Sequence, residues 1–547
     1  MTETNTPPDT IRVSEHEPGD HNVEILGLDV HNPVFFVSAL VIIAFVLFSL
    51  IFHDAAEAFF TWLRPTLTEM FDWPLLMAGN LFVVFSLALV VTPLGNVRLG
   101  GVDARPDYGY LGWFAMLFAA GMGIGLMFFG VSEPLSHYAS SVGGTTLDGG
   151  LRTDWAPLGG AGGDTAAATE LAMAATIFHW GLHPWSIYAV VGLALAFFTF
   201  NRGLPLTLRS AFYPLLGERV WGWPGHVIDI LAVFATLFGL ATSLGFGAEQ
   251  AIAGINFLYD GIPTSETARS LLIVGITSIA LISVVAGLDS GVKRLSEINM
   301  ILALLLFLFI LLAGPTGVIA EGFVSNSVSY VSHLIPLSNP FGREDTNFMQ
   351  GWTAFYWAWW ISWSPFVGMF IARVSRGRTV REFITCVILV PTAVCILWMS
   401  TFGGAAIYEV VANGQQQIVD AAQPLKLFVM AQAYPLTGLI SFVGIVLVIV
   451  FFVTSSDSGS LVIDTITAGG KIDAPVAQRI FWAVFEGLVA IVLMLGGGLV
   501  ALQAAAVATG IPFAIVLIAM MFCVWKGLRN ERKLMRGEIP KGMTIIE

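Results

Sequence analysis

The sequence predicts an all-α integral membrane protein with 12 transmembrane helices, and three observations support this. Hydrophobic residues make up 56% of the 547 residues and charged residues only 12%, about half the charged share of an ordinary globular chain. Twelve mostly apolar segments have the length, about 20 residues, that a helix needs to cross a bilayer. Lysine and arginine are divided 20 to 5 between the two alternating sets of connections. The apolar excess is therefore expected to face lipid.

The predicted spans cover most of the chain. They lie approximately at residues 34–53, 72–93, 109–131, 170–199, 228–257, 269–288, 296–318, 350–373, 381–407, 435–456, 479–496 and 501–526. The first span follows a long polar segment instead of a short basic one, which predicts a retained helix and not a cleaved signal peptide. A membrane domain is thus expected over residues 34–527, between an acidic tail (1–33) and a short basic tail (528–547).

The charge distribution predicts the orientation of the chain. Because cytoplasmic loops collect lysine and arginine, both termini are predicted to be cytoplasmic. The net charge is −13, of which residues 1–33 contribute −6 through seven acidic residues and one arginine. This tail is expected to be mobile, and the acidity disfavours a nucleic-acid partner. The arginines after span 8 and the basic C-terminal tail are candidates for contact with anionic lipid.

Two segments interrupt the pattern of a smooth spanning helix. Span 3 contains Gly121, Gly123 and Gly125, and each glycine costs about 1 kcal/mol relative to alanine in a helix interior. Span 10 ends in a run of hydroxyl side chains at residues 454–460. Interrupted helices in both halves of a chain are typical of a ligand site near the bilayer midplane, whereas glycines can also be a helix-packing surface. We expect a helix break in each of these spans.

Two predicted spans carry aromatic clusters. The residues are Trp180, Trp185 and Tyr188 in span 4 and Trp359, Trp360 and Trp363 in span 8. They predict an aromatic cage between the two helices, with ordinary aromatic packing as the alternative. A quaternary ammonium group donates no hydrogen bond, and cation–π attraction is the interaction by which a cage of rings would bind it.

The cage motifs in spans 4 and 8 contain no acidic residue. This favours a zwitterionic ligand, whose negative end would be held by free backbone N–H groups where span 3 unwinds, at Met122, Gly123 and Gly125. Acidic residues do lie in or near other spans: Glu133, Glu170, Asp229, Glu249, Glu297, Asp457 and Glu486. Ionisable groups there are candidate functional sites. Their closeness to span ends predicts hydration or ion pairing, with a proton relay as the alternative.

Three stretches identify a family resemblance. Residues 118–134 (FAAGMGIGLMFFGVSEP), 355–368 (FYWAWWISWSPFVG) and 372–378 (ARVSRGR) closely resemble the betaine/choline/carnitine transporter family. The match extends from about residue 33 to residue 526. The resemblance implies a leucine-transporter-like fold with an inverted 5+5 repeat: two extra helices (34–108), a first repeat (109–318, spans 3–7), an external connection (319–349) and a second repeat (350–527, spans 8–12). It also implies a homotrimer in a bacterial inner membrane, with the six aromatic residues forming the family's aromatic box.

The resemblance further implies coupling to Na⁺. Relatives that use Na⁺ hold the ion between spans 3 and 10. The matching positions here are the backbone at Ala119 and Met122, the Phe451 carbonyl, and the hydroxyls of Thr454 and Ser455. Helix–helix hydrogen bonding is the alternative role for the two hydroxyls. A second ion site in span 5 is less certain, because Leu240 interrupts the threonine spacing that begins at Thr236.

Within this family, Gly125 bears on the substrate. Choline carriers can have an aspartate at this position, and glycine therefore favours a zwitterion, with glycine betaine as the leading substrate. The expected function is a secondary active symporter that imports this solute with Na⁺. The alternatives are a proton-coupled choline carrier, a carrier of dimethylsulfoniopropionate, carnitine or ectoine, and a membrane solute sensor without net transport. An enzyme is disfavoured, because no catalytic acid/base or metal constellation accompanies the cage.

Overall fold

The computed structural model describes residues 11–121, 123–143, 147–148, 151–152, 154–285, 289–540 and 545. These residues form an almost entirely helical molecule. The α-helices are α1 (Val34–Ile51), α2 (His53–Val91), α3 (Tyr110–Gly121), α4 (Ile124–Gly143), α5 (Thr165–Trp180), α6 (Leu182–Arg202), α7 (Tyr213–Leu216), α8 (Trp223–Leu258), α9 (Glu266–Val285), α10 (Asp289–Ala313), α11 (Thr316–Ser338), α12 (Thr346–Phe348), α13 (Ala354–Arg373), α14 (Val380–Asn413), α15 (Gln417–Asp420), α16 (Lys426–Ala431), α17 (Thr437–Thr467), α18 (Val476–Leu495) and α19 (Gly498–Leu534). A π-helical turn, Met349–Thr353, precedes α13.

Strands and short 3₁₀ segments make up the rest of the regular structure. Two antiparallel hairpins are formed by β1 (Asn22–Ile25) with β2 (Leu28–His31) and by β3 (Leu147–Asp148) with β4 (Leu151–Arg152). The 3₁₀ segments are Pro93–Asn96, Pro157–Gly159, Leu208–Phe212, Gly217–Trp221 and Gln423–Leu425.

The outer surface of the helical body is apolar. Ten helical stretches in the described part of the chain are long and apolar enough to cross a membrane. The apolar window of Arg294–Ala313 is only 22% buried inside the molecule, whereas that of Thr165–Arg202 is 94% buried. Large apolar side chains such as Leu271 and Leu312 are exposed on the outer helices. This surface suits lipid and would be unfavourable in water, so the prediction of a multi-span helical membrane protein is confirmed.

The predicted break in span 3 is present. Helix α3 ends at Gly121 and α4 begins at Ile124, while Met122 lies outside the described residues. The break leaves the last carbonyls of α3 and the first N–H groups of α4 without partners inside a helix. Polar backbone is thus available in the middle of an apolar span.

The predicted break in span 10 is wrong. Helix α17 runs without interruption through the hydroxyl run. The Thr454 hydroxyl donates to the Val450 carbonyl at 3.0 Å, and the Ser460 hydroxyl donates to the Asp457 carbonyl at 2.9 Å. Hydroxyl groups that bond back to their own helix need no break to be satisfied, which is why this polar run remains helical.

A break not predicted from sequence divides span 4 at Gly181, between α5 and α6. The backbone N–H of Leu182 donates outside its own helix, to the Tyr330 hydroxyl at 3.0 Å. A Cβ atom on Gly181 would lie 2.9 Å from that hydroxyl oxygen, so glycine is required for the close approach. Tyr330 belongs to α11, a helix that occupies part of the connection expected at residues 319–349.

The acidic tail was expected to be mobile, but residues 11–31 are packed against the helical body. The backbone N–H of Gly19 donates to the Gly469 carbonyl at 3.2 Å, and the Asn22 side chain donates to the Ala468 carbonyl at 3.0 Å. Lys471 forms an ion pair with Asp29 at 2.5 Å. The β1–β2 hairpin therefore anchors the tail to the loop between α17 and α18. Long-range backbone and side-chain pairing of this kind has no signature in local composition.

A histidine cluster completes this docking. The Arg209 guanidinium donates to Nε2 of His31 at 3.3 Å and to Nδ1 of His226 at 3.1 Å, and it is ion-paired with Asp229. His16 stacks on Trp221 with ring centroids 4.0 Å apart. His21, Asp20 and Glu218 are the other charged or titratable neighbours of the cluster. Both imidazoles that face Arg209 must stay neutral to accept its hydrogen bonds.

Acidification is expected to release the hairpin. Burial lowers the pKa of His16 to about 4 and that of His31 to about 3, whereas a free histidine titrates near 6.5. Protonation thus favours the undocked state: docking is complete above about pH 6.5 and is lost as the pH falls toward 4. Hydrogen exchange at residues 22–31, corrected for intrinsic rates, should be faster at pH 5 than at pH 7.5. The double variant His16→Gln, His31→Gln should show a smaller difference, because His226 remains, and equal protection of the wild-type hairpin at both pH values would contradict the prediction.

Candidate functional site

A cavity of about 860 Å³ lies between α3, α4, α5, α6, α8, α10, α13 and α17. Most of the residues predicted from sequence line it: Ala119, Gly123, Gly125, Trp180, Tyr188, Trp359, Trp360, Trp363, Phe451, Thr454 and Ser455. The cavity extends along α13 to Phe370, toward the end of that helix at Arg373. Ser243, Glu297, Asn299, Phe366 and Ser458 also line it, although the sequence did not place them in the binding site. Phe366 and Ser458 lie within the segments 355–368 and 454–460, whereas Ser243, Glu297 and Asn299 are brought to the cavity by helix packing.

The aromatic residues form a cage at one end of the cavity. The Trp360 ring lies 5.2 Å from Trp180 at an interplanar angle of 84° and 5.2 Å from Tyr188 at 66°. Trp359 lies 6.4 Å from Trp180 at 88°. Because the rings are steeply inclined to one another, their faces point in several directions around one space. A cation in that space would be attracted by several ring faces.

The break at Gly181 positions the cage. The carbonyls of His179 and Trp180 end α5 and lack the partners that a continuous helix would supply. The indole N–H of Trp360 donates to the His179 carbonyl at 3.0 Å. The indole N–H of Trp185 donates to the Trp180 carbonyl at 3.2 Å, in place of a donor at Pro184. Two tryptophans thus satisfy the carbonyls that the break exposes.

Trp185 does not line the cavity, contrary to the sequence prediction. Its side chain is fully buried behind the cage, with its ring 5.4 Å from Tyr188 and 6.1 Å from Trp360. It supports these two rings and caps the broken helix. Spacing alone placed it beside Tyr188 but could not show which of the two faces the cavity.

Trp363 is held by α8. Its indole N–H is shared between the Gly239 carbonyl at 2.9 Å and the Ser243 hydroxyl at 3.0 Å, both on α8. These hydrogen bonds fix the Trp363 ring at the cavity wall.

Gly125 brings the backbone of α4 against the cage. A Cβ atom at this position would lie 2.8 Å from Cη2 of Trp180 and 3.0 Å from Cη2 of Trp359. A Cβ on Gly123, by contrast, would meet no atom within 4 Å. The absence of a side chain at Gly125 is thus a steric requirement of the cage.

Four of the candidate ion-binding residues, Ala119, Phe451, Thr454 and Ser455, line the cavity. Ala119 lies in the last turn of α3, so its carbonyl is not used within the helix. The Thr454 hydroxyl gives its hydrogen to its own helix, which leaves the oxygen lone pairs free to bind a cation. Phe451 lies inside the continuous helix α17, so its carbonyl is not released by a break as the sequence suggested. Met122, the other predicted ligand, lies outside the described residues.

Carboxylates outside the motifs of spans 4 and 8 lie close to the cage. Glu297 lines the cavity, and Glu133 of α4 lies directly behind Trp180, with no exposed surface. The indole N–H of Trp180 donates to Oε2 of Glu133 at 2.8 Å. Glu133 is far from the cage tryptophans in sequence, and only helix packing brings it there.

Several other intramembrane acids are ion-paired, as the sequence predicted. Glu249 pairs with Arg269 at 3.0 Å, and Asp457 pairs with Arg479 at 3.2 Å. Glu486 differs, because it is fully buried and accepts a hydrogen bond from Ser456 at 2.9 Å. His179 and His183 are both hydrogen-bonded in the interior, His183 to Asn80 at 3.0 Å.

Comparison with known proteins identifies the family. The family model for betaine/carnitine/choline family transporters matches residues 33–533. The chain belongs to the betaine/carnitine/choline transporter family. It is 62% identical over 532 residues to a glycine betaine/proline/choline transporter of Vibrio parahaemolyticus, covering 96% of each chain. It is also 51% identical over 535 residues to glycine betaine transporter 1 of the same organism (96% and 98% covered), and 40% identical over 506 residues to the glycine betaine transporter OpuD of Bacillus subtilis (92% and 95% covered).

Membership in this family sets the functional class. Its relatives are named as transporters, and the protein is a multi-span membrane transporter rather than an enzyme. The tryptophan-rich motif of α13, one of the three stretches that carry the family resemblance, supplies Trp359, Trp360 and Trp363 to the cavity lining.

Proposed function

We propose that this transporter is a secondary active symporter that carries a zwitterionic quaternary ammonium solute, glycine betaine above all, together with Na⁺. The observation that carries the proposal is the cage, in which Trp180, Tyr188, Trp359 and Trp360 line the cavity, with Trp180 at 88° to Trp359 and 84° to Trp360, and Tyr188 at 66° to Trp360. Each cation–π contact in a desolvated site contributes about 2 kcal/mol. Two relatives named as glycine betaine transporters, and one named as a glycine betaine/proline/choline transporter, support glycine betaine as the substrate.

The negative end of the solute fits the backbone beside Gly125. The first N–H groups of α4 are unpaired within the helix, and a helix N-terminus attracts a carboxylate. Gly125 has no room for an acidic side chain, since even a Cβ would crowd Trp180 and Trp359. A zwitterion therefore suits this site better than choline, which has no carboxylate to offer.

The proposal also includes the number of spans, their repeat and the orientation of the chain. Twelve spans, with α3–α4 and α5–α6 each counted as one, form two inverted repeats after two additional helices, and both termini are cytoplasmic. The arginine-rich loop after α13 then lies in the cytoplasm. Because the cavity extends from the cage toward Arg373, it would open inward in this conformation.

Na⁺ fits the oxygen-rich wall of the cavity. The Ala119 carbonyl and the hydroxyls of Thr454 and Ser455 supply the hard oxygen ligands that this ion prefers, and all three residues line the cavity. An ion bound there would connect the end of α3 to α17. Solute and ion would then stabilise the same arrangement of the two helices.

Transport measurements test the function directly. Proteoliposomes containing the protein should accumulate labelled glycine betaine when Na⁺ is high outside, and should do so much less with K⁺ in its place. A panel with choline, carnitine, dimethylsulfoniopropionate and ectoine gives the selectivity. A solute sensor would bind the labelled compound without counterflow, and that result would overturn the symport proposal.

Removing the hydroxyls should remove the dependence on Na⁺. The double variant Thr454→Ala, Ser455→Ala is expected to reduce Na⁺-stimulated uptake by at least about tenfold, because two of the oxygen ligands are lost. Thr465→Ala is the matched control, since Thr465 makes the same back-bond within α17, to Leu461 at 2.8 Å, and does not line the cavity. Unchanged Na⁺ activation in the double variant would contradict the ion site.

A further inference from the structure

Glu133 is bound by four donors behind the cage. Oε1 lies 2.6 Å from Nδ1 of His179 and 3.2 Å from Nε2 of His137. Oε2 accepts the indole N–H of Trp180 at 2.8 Å and the hydroxyl of Tyr356 at 2.5 Å. A carboxylate offers about four lone-pair positions, two on each oxygen. All of them are used, which leaves no place for a proton.

The two histidines complete the cluster in their neutral forms. Because the Glu133 carboxylate only accepts, the hydrogen of neutral His179 is on Nδ1 and points at Oε1, and Nε2 then accepts from the Thr353 hydroxyl at 2.9 Å. Nδ1 of His137 has no partner among the described residues, which assigns its hydrogen to Nε2. Within those same residues no lysine or arginine pairs with Glu133, and its side chain has no exposed surface. A buried negative charge without a cation is costly unless a ligand supplies one.

The carboxylate is separated from the cavity by a single indole ring. Trp180 donates from its five-membered ring to Glu133, and its opposite edge at Cη2 is the atom that approaches Gly125 at the cavity wall. Tyr356 stacks on His179 with ring centroids 4.7 Å apart and meets the Trp180 ring at 5.7 Å. The hydrogen bonds fix the cage ring, and the charge makes its surroundings negative.

A metal ion is a poorer occupant of the cluster. Glu133, His137 and His179 have candidate ligand atoms within 4.8 Å of one another. Ligands about 2 Å from a tetrahedral zinc ion lie roughly 3.3 Å apart, whereas Nδ1 of His179 is 2.6 Å from Oε1, a hydrogen-bond distance. Oε2 is already occupied by the two donors from the cage side.

We propose that Glu133 is a positioning residue and the buried counter-charge of the aromatic cage. It holds Trp180 in place and supplies, through that ring, the negative charge that attracts the ammonium end of the solute. This role rests on the proposed function, because it requires a quaternary ammonium ligand. Helices α5, α6 and α13 place no acidic residue in the wall of the cage. The charge of Glu133 explains how the cage nevertheless favours a cation.

Glu133→Gln isolates the charge. The amide oxygen can accept from Trp180 and Tyr356, while the amide N–H₂ donates to Nδ1 of His179 and Nε2 of His137 once both rings adopt their other tautomers. The His179 hydrogen then moves to Nε2 and is donated to Thr353. The variant can thus keep every hydrogen bond of the cluster while losing the negative charge, and the one further change is that the His137 hydrogen moves to Nδ1, which has no partner among the described residues.

Equilibrium binding of two probes to the purified protein tests the proposal. Binding is monitored by tryptophan fluorescence. One probe is glycine betaine, and the other is its carbon isostere, in which a tert-butyl group replaces the trimethylammonium group. Glu133→Gln should raise the Kd for glycine betaine by about tenfold, as expected for the loss of a nearby buried charge. The Kd for the isostere should stay constant or fall. Glu486→Gln, which alters another fully buried carboxyl outside the cavity lining, is the control and should match the wild type.

The possible results separate the hypotheses. Equal weakening of both probes would show that Glu133 acts only by shaping the cage, and would overturn the electrostatic role. Unchanged Kd values for both probes would overturn the whole proposal for Glu133 while leaving the proposed function intact. Failure of the wild-type protein to bind glycine betaine would overturn both.

Discussion

Replacing Trp360 by alanine is expected to abolish measurable uptake of glycine betaine while the protein still folds. Trp360 contacts Trp180 and Tyr188 at 5.2 Å each and is the ring that joins the two halves of the cage. Loss of one desolvated cation–π contact corresponds to about 2 kcal/mol, or roughly 30-fold in affinity. The collapse of the neighbouring rings into the space adds to this loss. Uptake into proteoliposomes, with the amount of reconstituted protein measured separately, gives the result.

A milder substitution separates the ring from its hydrogen bond. Trp360→Phe keeps an aromatic face but loses the bond to the His179 carbonyl, so a moderate rise in KM is expected. Trp482→Phe is the matched control, because Trp482 is also buried and donates to Thr467 at 3.0 Å, away from the cavity. Wild-type affinity in Trp360→Ala would show that the cage is ordinary aromatic packing and would remove the basis for the assigned substrate.

Gly125→Ala is expected to raise the KM for glycine betaine by about tenfold or more. The added methyl group would lie 2.8 Å from Trp180 and 3.0 Å from Trp359, so both rings must shift. Overpacking of rigid side chains costs about 1–3 kcal/mol, and here the strain falls on the rings that bind the solute. Initial rates of uptake over a range of solute concentrations, at saturating Na⁺, measure the change.

Two other glycines show whether crowding is the cause. Gly112→Ala, on the exposed side of α3 with no atom within 4 Å of the new Cβ, should behave as wild type. Gly123→Ala lies at the same helix break as Gly125 but its Cβ also meets open space, so its effect should be much smaller. If Gly123→Ala impairs transport as strongly as Gly125→Ala, backbone freedom at the break matters more than room beside the rings.

Much of the architecture follows from the sequence. Hydropathy and length predict the membrane helices, because lipid imposes a simple rule on long apolar segments. Gly121, Gly123 and Gly125 predict the break in span 3, because glycine is a poor residue for a helix interior. The tryptophans predict the cage, because several large aromatic side chains in the middle of one span can surround a cation with their ring faces.

The tertiary structure decided what those residues do. Span 4 is broken at Gly181 because the backbone N–H of Leu182 donates to the hydroxyl of Tyr330, which lies 148 residues after Leu182 in the chain. Glu133 becomes part of the cage because Tyr356, 223 residues away, donates to it. Helix α17 continues through its hydroxyl run, since the Thr454 and Ser460 hydroxyls donate to carbonyls of their own helix and the Ser456 hydroxyl donates to Glu486 of α18. Periodicity and composition indicate which residues are apolar and where a helix is weak. The partner of a buried polar group depends on which helices pack together, and that is settled only in three dimensions.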